Sequence, residues 1–528
     1  MSQGSSQRRM GGQPIFILSE ESERTQGRDA QSSNIAAGKA VSEAVRTTLG
    51  PRGMDKMLVD SSGDVVITND GATILNQMDI EHPAAQMIVE VADAQEDEVG
   101  DGTTTAAVIA GQLLAHAEDL LEDDVHPTTI VEGYYEASRI ATETVESLVL
   151  DEELDDELLR SVAESSMTGK GTGGVGAERL AEVVVEAVRH VENEDGVARD
   201  NVILQTKVGA SSAATELVSG VIIDEEPVHD NMPRSLEDVG IAVIEEALEV
   251  KESDVDAEYN VTSVDQLNEA LEAEEAELRG YAEAIEAAGA NVVVSTDDID
   301  DRVASYLTNK GILAFEDVGS QEAGWVADAT GALRIGDVDD LQSDDLGHAE
   351  RVHVERFGED DLTFFEGGAE AESVTVFARG GTEHVVDELE RALEDALDVV
   401  TAAIEEGGVV PGAGASEIAI ADAVRDAAAG IEGRKQLAVE AFADAVDVIP
   451  RTLARNTGMD PIDALVDLRA MHEREGVAGV ISSGETGEIA DPIEAGIVDP
   501  AAVKREAIES ATEAATMIAR IDDIISAD

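Results

Sequence analysis

The sequence contains no cysteine, and that absence removes disulfides, thiolate metal sites and cysteine nucleophiles together. Aromatic side chains make up only 2% of the chain, and proline fills 11 of its 528 positions. A core must then be built mainly from Ala, Val, Leu and Ile, which fits helices and α/β layers packed by small side chains. Basic residues are also scarce: 35 Lys and Arg stand against 115 Asp and Glu, a net charge of −80. No basic patch exists to neutralise phosphates, so nucleic acid is not expected as a partner. No uninterrupted apolar run is long enough to span a bilayer. Residues 1–13 are rich in Ser, Gln, Gly and Arg, show no apolar signal region and read as a disordered tail. The expected location is the cytoplasm, in soluble form.

What is present begins with the acid itself. At ordinary ionic strength the self-repulsion of such a chain opposes compaction. In molar salt the Debye length falls to about 3 Å, and the repulsion is largely screened. The acid is spread along the chain rather than gathered in one tail, and the basic residues are mostly Arg. A hydrophobic fraction of 43% and long apolar periodicities speak against a disordered acidic protein. A high-salt cytoplasm is the expected setting, and the length implies several domains.

Helical periodicity runs from near Asn34 to the break at Leu49-Gly50-Pro51. A hairpin pattern follows, Lys56 to Val59 and Val65 to Thr68 around the turn Asp60 to Asp64. Asn69-Asp70-Gly71 opens a helix at Ala72, and a long apolar helix is expected from Ala106. From about Leu217 to Phe377, β-rich runs alternate with helices. Val218 to Ile223, Ile241 to Ile244 and Asn291 to Ser295 read as strands. Ser263 and Gln266 form a capping-box pattern before one apolar stripe, Leu267, Leu271, Leu278, Ala282 and Ile285, which Gly289 ends. After Arg379 to Thr382 long helices return. Helical ends around an α/β middle suggest a discontinuous domain closed by both termini.

The most informative stretch for chemistry is Gly100-Asp101-Gly102-Thr103-Thr104-Thr105, running into an apolar helix. Glycines and hydroxyls at a helix N-terminus offer backbone N–H groups and the positive dipole end to an anion. Asp101 fits a Mg²⁺ held by one carboxylate and phosphate oxygens. The same residues also make an ordinary N-cap with no ligand. No P-loop pattern occurs. A G-x-G-x-x-G match at Gly171, Gly173 and Gly176 follows a helical stretch, Leu158 to Met167, rather than a strand, so a dinucleotide site is rejected. The nine His residues lack ligand spacing.

Five segments together resemble the chaperonin family. Thr48 to Leu58 resembles its first nucleotide loop; Asn69 to Leu75 and Gly100 to Thr105 resemble the second and third. Gly407 to Gly414 resembles the glycine turn beneath the base, and Gly496 to Pro500 the ribose-side segment. Two features resemble group II chaperonins, those of archaea and the eukaryotic cytosol. One is the form of the Asn69 to Leu75 string, the other extra sequence at about 249–279, where this group carries a helical protrusion as a built-in lid.

The resemblance implies a multidomain α and α/β chaperonin fold. Its mostly helical equatorial domain would span 14–152 and 407–528, the small intermediate domain 153–216 and 378–406, and the α/β apical domain 217–377. It implies ATP and Mg²⁺, with Asp101 as the metal ligand and Gly102, Thr103, Thr104 and Thr105 cradling phosphates. Asp70 and Asp395 would activate the attacking water, as positioning groups do in phosphoryl transfer. Thr48, Leu49, Gly50 and Pro51 would line the pocket, Gly412 would let the backbone approach the base, and Asp499 would meet the ribose. Lys170 would sense the γ-phosphate.

Read without the resemblance, Asp70 is also a turn residue and Asp499 an N-cap before Pro500. Asp395 lies off the apolar stripe Val385, Leu389, Leu393, Leu397 and Val400, and looks like part of a solvated acidic face. Ala413 interrupts the glycine run and would crowd the base. The implied activity is an ATP-hydrolysing chaperone subunit of a double ring, of identical or paralogous subunits, acting on non-native proteins without a separate lid protein. The competing readings are an ATP-binding scaffold or holdase without a productive cycle, and a small-molecule kinase, for which no acceptor motif is found.

Overall fold

The computed structural model describes residues 24–59, 63, 65–170, 176–193, 196–250, 264–358, 360–368, 373–483 and 486–525. The tail 1–13, the Gly171 to Val175 run and the Ser263 end of the expected capping box lie outside these residues.

Small side chains pack the chain into three main apolar cores. The first draws residues from both ends of the sequence, Ile35 to Val145 and Val410 to Ala519. It is helical, built from Arg28–Val45, Pro83–Val99, Thr103–Glu122, Pro127–Leu148, Ala415–Ala428, Lys435–Val446 and Ala501–Ala519. Alanines along these helices let the axes approach closely, and the one aromatic pair inside is Tyr134 edge-on to Phe442, at 6.0 Å. Tyr134 keeps its hydroxyl bonded to the Leu113 carbonyl at 2.8 Å, as a buried phenol must. Strand Arg24–Gln26 pairs antiparallel with Asp523–Ile525, tying the two ends together.

The second core, from Ile203 to Phe365, covers a mixed sheet. Leu313–Phe315, Val292–Ser295 and Ser235–Ile244 run parallel. Gly347–Phe357, Asp360–Gly368 and Gly220–Ile223 continue it antiparallel. The strand expected over Val218 to Ile223 divides in two. Glu216–Val218 joins a three-stranded sheet with Val374–Gly380 and Val202–Val208, whereas Gly220–Ile223 joins the mixed sheet. The chain can turn there because residue 220 is glycine at φ +133°, and a Cβ would sit 1.9 Å from the Phe365 carbonyl oxygen. Helix Val264–Ala288 buries Leu278, Ala282 and Ile285, but Leu271, expected on the same stripe, is 51% exposed. Among the described side chains of that helix, those that join the second core run from Leu278 to Ala288, so at Leu271 the apolar period outruns the packing.

The third core lies between these, from Leu159 to Val202 and Val374 to Val409, with Val498. Its spine is the helix Glu383–Glu405, packed against Asp156–Met167 and Ala177–Val191. The helix preceding the G-x-G-x-x-G match is thus present as expected, Asp156–Met167, capped by Asp155. At its far end Glu383–Glu405 meets the first core through Val99, Ala402, Ala502 and Val503. Arg505 pairs with Glu406 at 3.1 Å across the same junction.

Buried charge inside the first core is compensated. The fully buried Asp447 carboxylate is shared by Arg425 and Arg469, with Arg451 at 4.0 Å. Removing it takes away the carboxylate these guanidinium groups share, although Arg425 keeps Asp444 at 3.0 Å and Asp422 at 3.4 Å and all three keep partial solvent contact. Asp447→Ala should therefore cost about 3 kcal/mol, the low end for a broken buried pair, seen as a lower Tm by calorimetry. An unchanged Tm would show that the arginines simply swing into water.

Candidate nucleotide site

Thr103–Glu122 starts three residues earlier than its apolar pattern suggests, with Gly102 as N-cap at φ +86°. No side chain caps this helix, and the Gly102 carbonyl accepts its first intrahelical bond from Ala106 N–H at 2.9 Å. The N–H groups ahead of Ala106 stand at the positive end of a helix of twenty residues and border a cavity of about 400 Å³. That volume suits a drug-sized or nucleotide-sized ligand.

Each motif reaches this cavity by its own element. Helix Arg28–Val45 passes through a short 3-10 turn into Thr48, Leu49, Gly50 and Pro51, all of which line it. The Thr48 hydroxyl turns back to the Val45 carbonyl at 2.8 Å. The hairpin Lys56–Val59 with Val65–Thr68 leads into Asn69, Asp70 and Gly71 on the rim. Asp70 does cap the next helix, accepting from Thr73 N–H at 2.6 Å, yet its position still borders the cavity. Asp70 thus combines a helix cap with a place on the cavity rim.

Asp101, Gly102, Thr103, Thr104 and Thr105 line the floor. Asp101 accepts from Gly102 N–H at 2.7 Å. The fully buried Gln95 donates to the Asp101 carbonyl at 2.7 Å and to the Val503 carbonyl at 3.3 Å. Strand Val409–Pro411 pairs with Val498–Pro500, setting Val410 opposite Asp499. Gly412 itself packs against that strand, where a Cβ would meet the Ile497 carbonyl and the Asp499 carboxylate at 3.1 and 3.2 Å. The neighbouring Ala413 and Gly414 form the lining. Ile449, Leu453, Val480 and Ile481 make an apolar wall beside them.

Asp499 is not an N-cap: Pro500 holds that place. Its carboxylate pairs with Lys504 at 2.8 Å, and Lys504 also reaches the buried Glu417 at 2.8 Å. Burial opposes the Lys504 charge, but these two carboxylates outweigh it and hold the ammonium above its ordinary range.

Asp395 corrects the sequence reading most sharply. Far from a solvated face, its side chain is 8% exposed and pairs with Lys170, itself 16% exposed. Glu383–Glu405 is covered on more than one side, so position off the main stripe does not mean water. Burial pushes the Asp395 carboxyl up to about 7, against the opposing pull of Lys170 and with the help of the Asp101 and Asp70 carboxylates. Glu96 lies in the same field and is pushed up to about 9, by burial first and then by Asp395 and Asp70. For Lys170, burial opposes protonation, but Asp395 and Asp101 overcome it and keep the amine charged.

Sequence reasoning missed Gln95, Glu96, Ser165, Ser166 and Lys504. A lysine on an alanine-rich helix in so lysine-poor a chain was a usable signal for Lys504; the serines offered none. The hydroxyls of Ser165 and Ser166 are buried without a protein partner, and both residues line the cavity. These orphaned donors fit a polar ligand. Among the described residues no group of three or more His, Cys, Asp or Glu forms a ready cation cage. Asp101 and Asp70 still fit Mg²⁺, which commonly takes one or two carboxylates and completes its shell with phosphate oxygens and water.

Residues 41–528 match the TCP-1/cpn60 chaperonin family. The chain belongs to that family. This chaperonin is 68% identical to thermosome subunit 3 of the halophilic archaeon Haloferax volcanii over 517 residues, 98% of this chain and 99% of that protein. It is 53% identical to thermosome subunit 1 of the same organism over 524 residues, 99% and 93% of the two chains. Identity to thermosome subunit alpha of Halobacterium salinarum is 52% over 519 residues, 98% and 92%. It is therefore a group II chaperonin of halophilic type, with the multidomain α and α/β chaperonin fold. Among the described residues no helix is long and apolar enough to cross a membrane.

Two outcomes follow from the site's chemistry. Ala413 sits at φ +55°, a left-handed conformation that costs a Cβ-bearing residue about 1–2 kcal/mol, partly offset by the extra unfolded freedom of glycine. Ala413→Gly should thus stabilise the protein by about 0.5–1 kcal/mol, read as a raised Tm. Glu96 binds its proton more tightly folded than unfolded, so the stability it contributes is present below pH 4.5 and is lost as pH rises through about 9. Glu96→Gln should remove that loss, and the variant's Tm should gain several degrees on wild type between pH 5 and about 9. Parallel Tm–pH curves would contradict it.

Proposed function

We propose that this chaperonin hydrolyses ATP and couples hydrolysis to the folding of non-native proteins. The carrying observation is the cavity bordered both by the uncapped helix start at Thr103 and by Lys170, whose ammonium pairs with the buried Asp395. Thr103, Thr104 and Thr105 bind phosphate oxygens through backbone N–H groups, and Lys170 meets the terminal phosphate. Asp101 holds Mg²⁺, which when bound offsets phosphate charge. Asp70 and Asp395 orient the attacking water, and the raised affinity of Asp395 for a proton suits it to receive one. The wall of Ile449, Leu453 and Ile481 takes the base, and Asp499, set by its strand, meets the ribose.

The three cores support a division into an equatorial domain of 14–152 and 407–528, an intermediate domain of 153–216 and 378–406, and an apical domain of 217–377. In this reading Glu383–Glu405 transmits the nucleotide state. It carries Asp395 toward the site at mid-length and docks on the first core at its end. A protrusion at about 249–279, of which residues 251–263 lie outside the described residues, would serve as the lid, closing during the ATP cycle. The subunit assembles with copies or paralogues in a double ring, a reading supported by relatives named as subunits, two of them from one organism.

Purified assemblies in molar KCl with Mg²⁺ test the activity. Asp395→Ala should lower kcat at least about 100-fold, the scale of a lost general base, with ATP KM little changed and rings intact. Equal turnover in both proteins would remove Asp395 from the mechanism. Binding of ATP without turnover by wild-type rings would favour a scaffold or holdase.

A further inference from the structure

Lys170 belongs to a short turn after Asp156–Met167, held locally by Lys170 N–H to the Met167 carbonyl at 3.1 Å and Thr168 N–H to the Ser165 carbonyl at 3.3 Å. Those bonds shape the turn but do not place it over the cavity. Two contacts from the first core do. Asn69, 9% exposed, donates its side-chain amide to the Gly169 carbonyl at 2.6 Å, across a hundred residues of sequence. On the other side of the turn, Gly169 lies against the first loop at φ +91°, where a Cβ would stand 3.0 Å from the Gly50 carbonyl oxygen and 3.4 Å from the Pro51 Cα.

Residue 169 thus meets the cavity's rim from two directions, and the next residue carries the ammonium that pairs with Asp395. A tight backbone approach on one face and a short hydrogen bond on the other leave the turn little freedom. We propose that Asn69, acting through Gly169, is a positioning residue that fixes Lys170, and with it Asp395, in the catalytic arrangement. The inference rests on the ATPase reading for its consequence, though not for its geometry. Asn69 neighbours Asp70, so one turn supplies a water-orienting carboxylate from residue 70 and the anchor for the opposing lysine from residue 69. The two halves of the site, one from each core, are registered by that amide together with the close approach of Gly169 to Gly50 and Pro51.

Because the anchor acts before any chemistry, hydrogen exchange of the nucleotide-free protein tests it first. In Asn69→Ala, amides of residues 164–170 should exchange about tenfold faster, the effect of losing a bond worth about 1.4 kcal/mol, while the Thr103–Glu122 helix stays protected. Gly169→Ala, which strains the same junction without touching Asn69, should do likewise and guards against a misfolded first variant. Unchanged exchange in both folded variants would overturn the proposal, whatever the protein's activity.

Steady-state ATP turnover then follows the consequence. Asn69→Ala should lower kcat about tenfold with KM within about twofold. Combined with Lys170→Met it should lower kcat no further than Lys170→Met alone, since a residue acting through another is not additive with it. Asn69→Asp, which sets an acceptor against the Gly169 carbonyl, should be worse than Asn69→Ala. Losses that multiply in the double variant would overturn the proposed route through Lys170. Absence of wild-type turnover would count against the ATPase reading and leave the exchange result to judge the anchor.

Discussion

Asp70, Glu96, Asp101 and Asp395 share one ammonium, that of Lys170, in a site largely withdrawn from water. Carboxylates gathered in a medium of low dielectric repel strongly and are stable together only when protons or cations compensate them. Protons supply part of the compensation, as the upward displacement of Glu96 and Asp395 attests. On the proposed function, a divalent cation entering with phosphate oxygens would supply the rest more effectively. The electrostatic deficit at the centre thus explains why Lys170 stays charged, why Asp395 tolerates burial and why the site suits a metal–phosphate ligand.

The same imbalance runs through the whole molecule on a larger scale. A net charge of −80 would disfavour a compact chain in dilute buffer, and molar salt screens it. Within the folded chain the deepest acids are paired: Asp447 with arginines, Glu417 with Lys504, Asp395 with Lys170. Screening handles the surface, where ions reach. Specific partners handle the interior, where they do not. Arranged this way, the first and third cores can meet at one cavity while each keeps its own packing.

Much of this was legible beforehand. The hairpin at Lys56 to Thr68, the glycine and threonine loop at Gly100 to Thr105 and the helical ends around an α/β middle all follow from local pattern, and the structure contains them. Asp395 did not yield to pattern, because stripe reasoning assumes one buried face and its helix is covered on several. The Gly220 bend and the exposed Leu271 depend on which sheet lies nearby, and periodicity carries no such information. The serines at 165 and 166 are ordinary helix residues until folding sets them on the cavity, and Gln95 until it meets the Asp101 carbonyl. Tertiary placement, rather than residue type, made them part of the site.

The central claim is that the nucleotide cavity is built short of positive charge and is completed by a divalent cation arriving with phosphate. Calorimetric titration of ATP into the full-length protein in molar KCl measures this directly, once with Mg²⁺ and once with EDTA. The account predicts binding at least about 100-fold tighter with Mg²⁺, a difference of about 2.7 kcal/mol. Equal affinity in the two titrations would mean that Lys170 and the helix N-terminus suffice for the phosphates, and the carboxylate cluster would need another explanation.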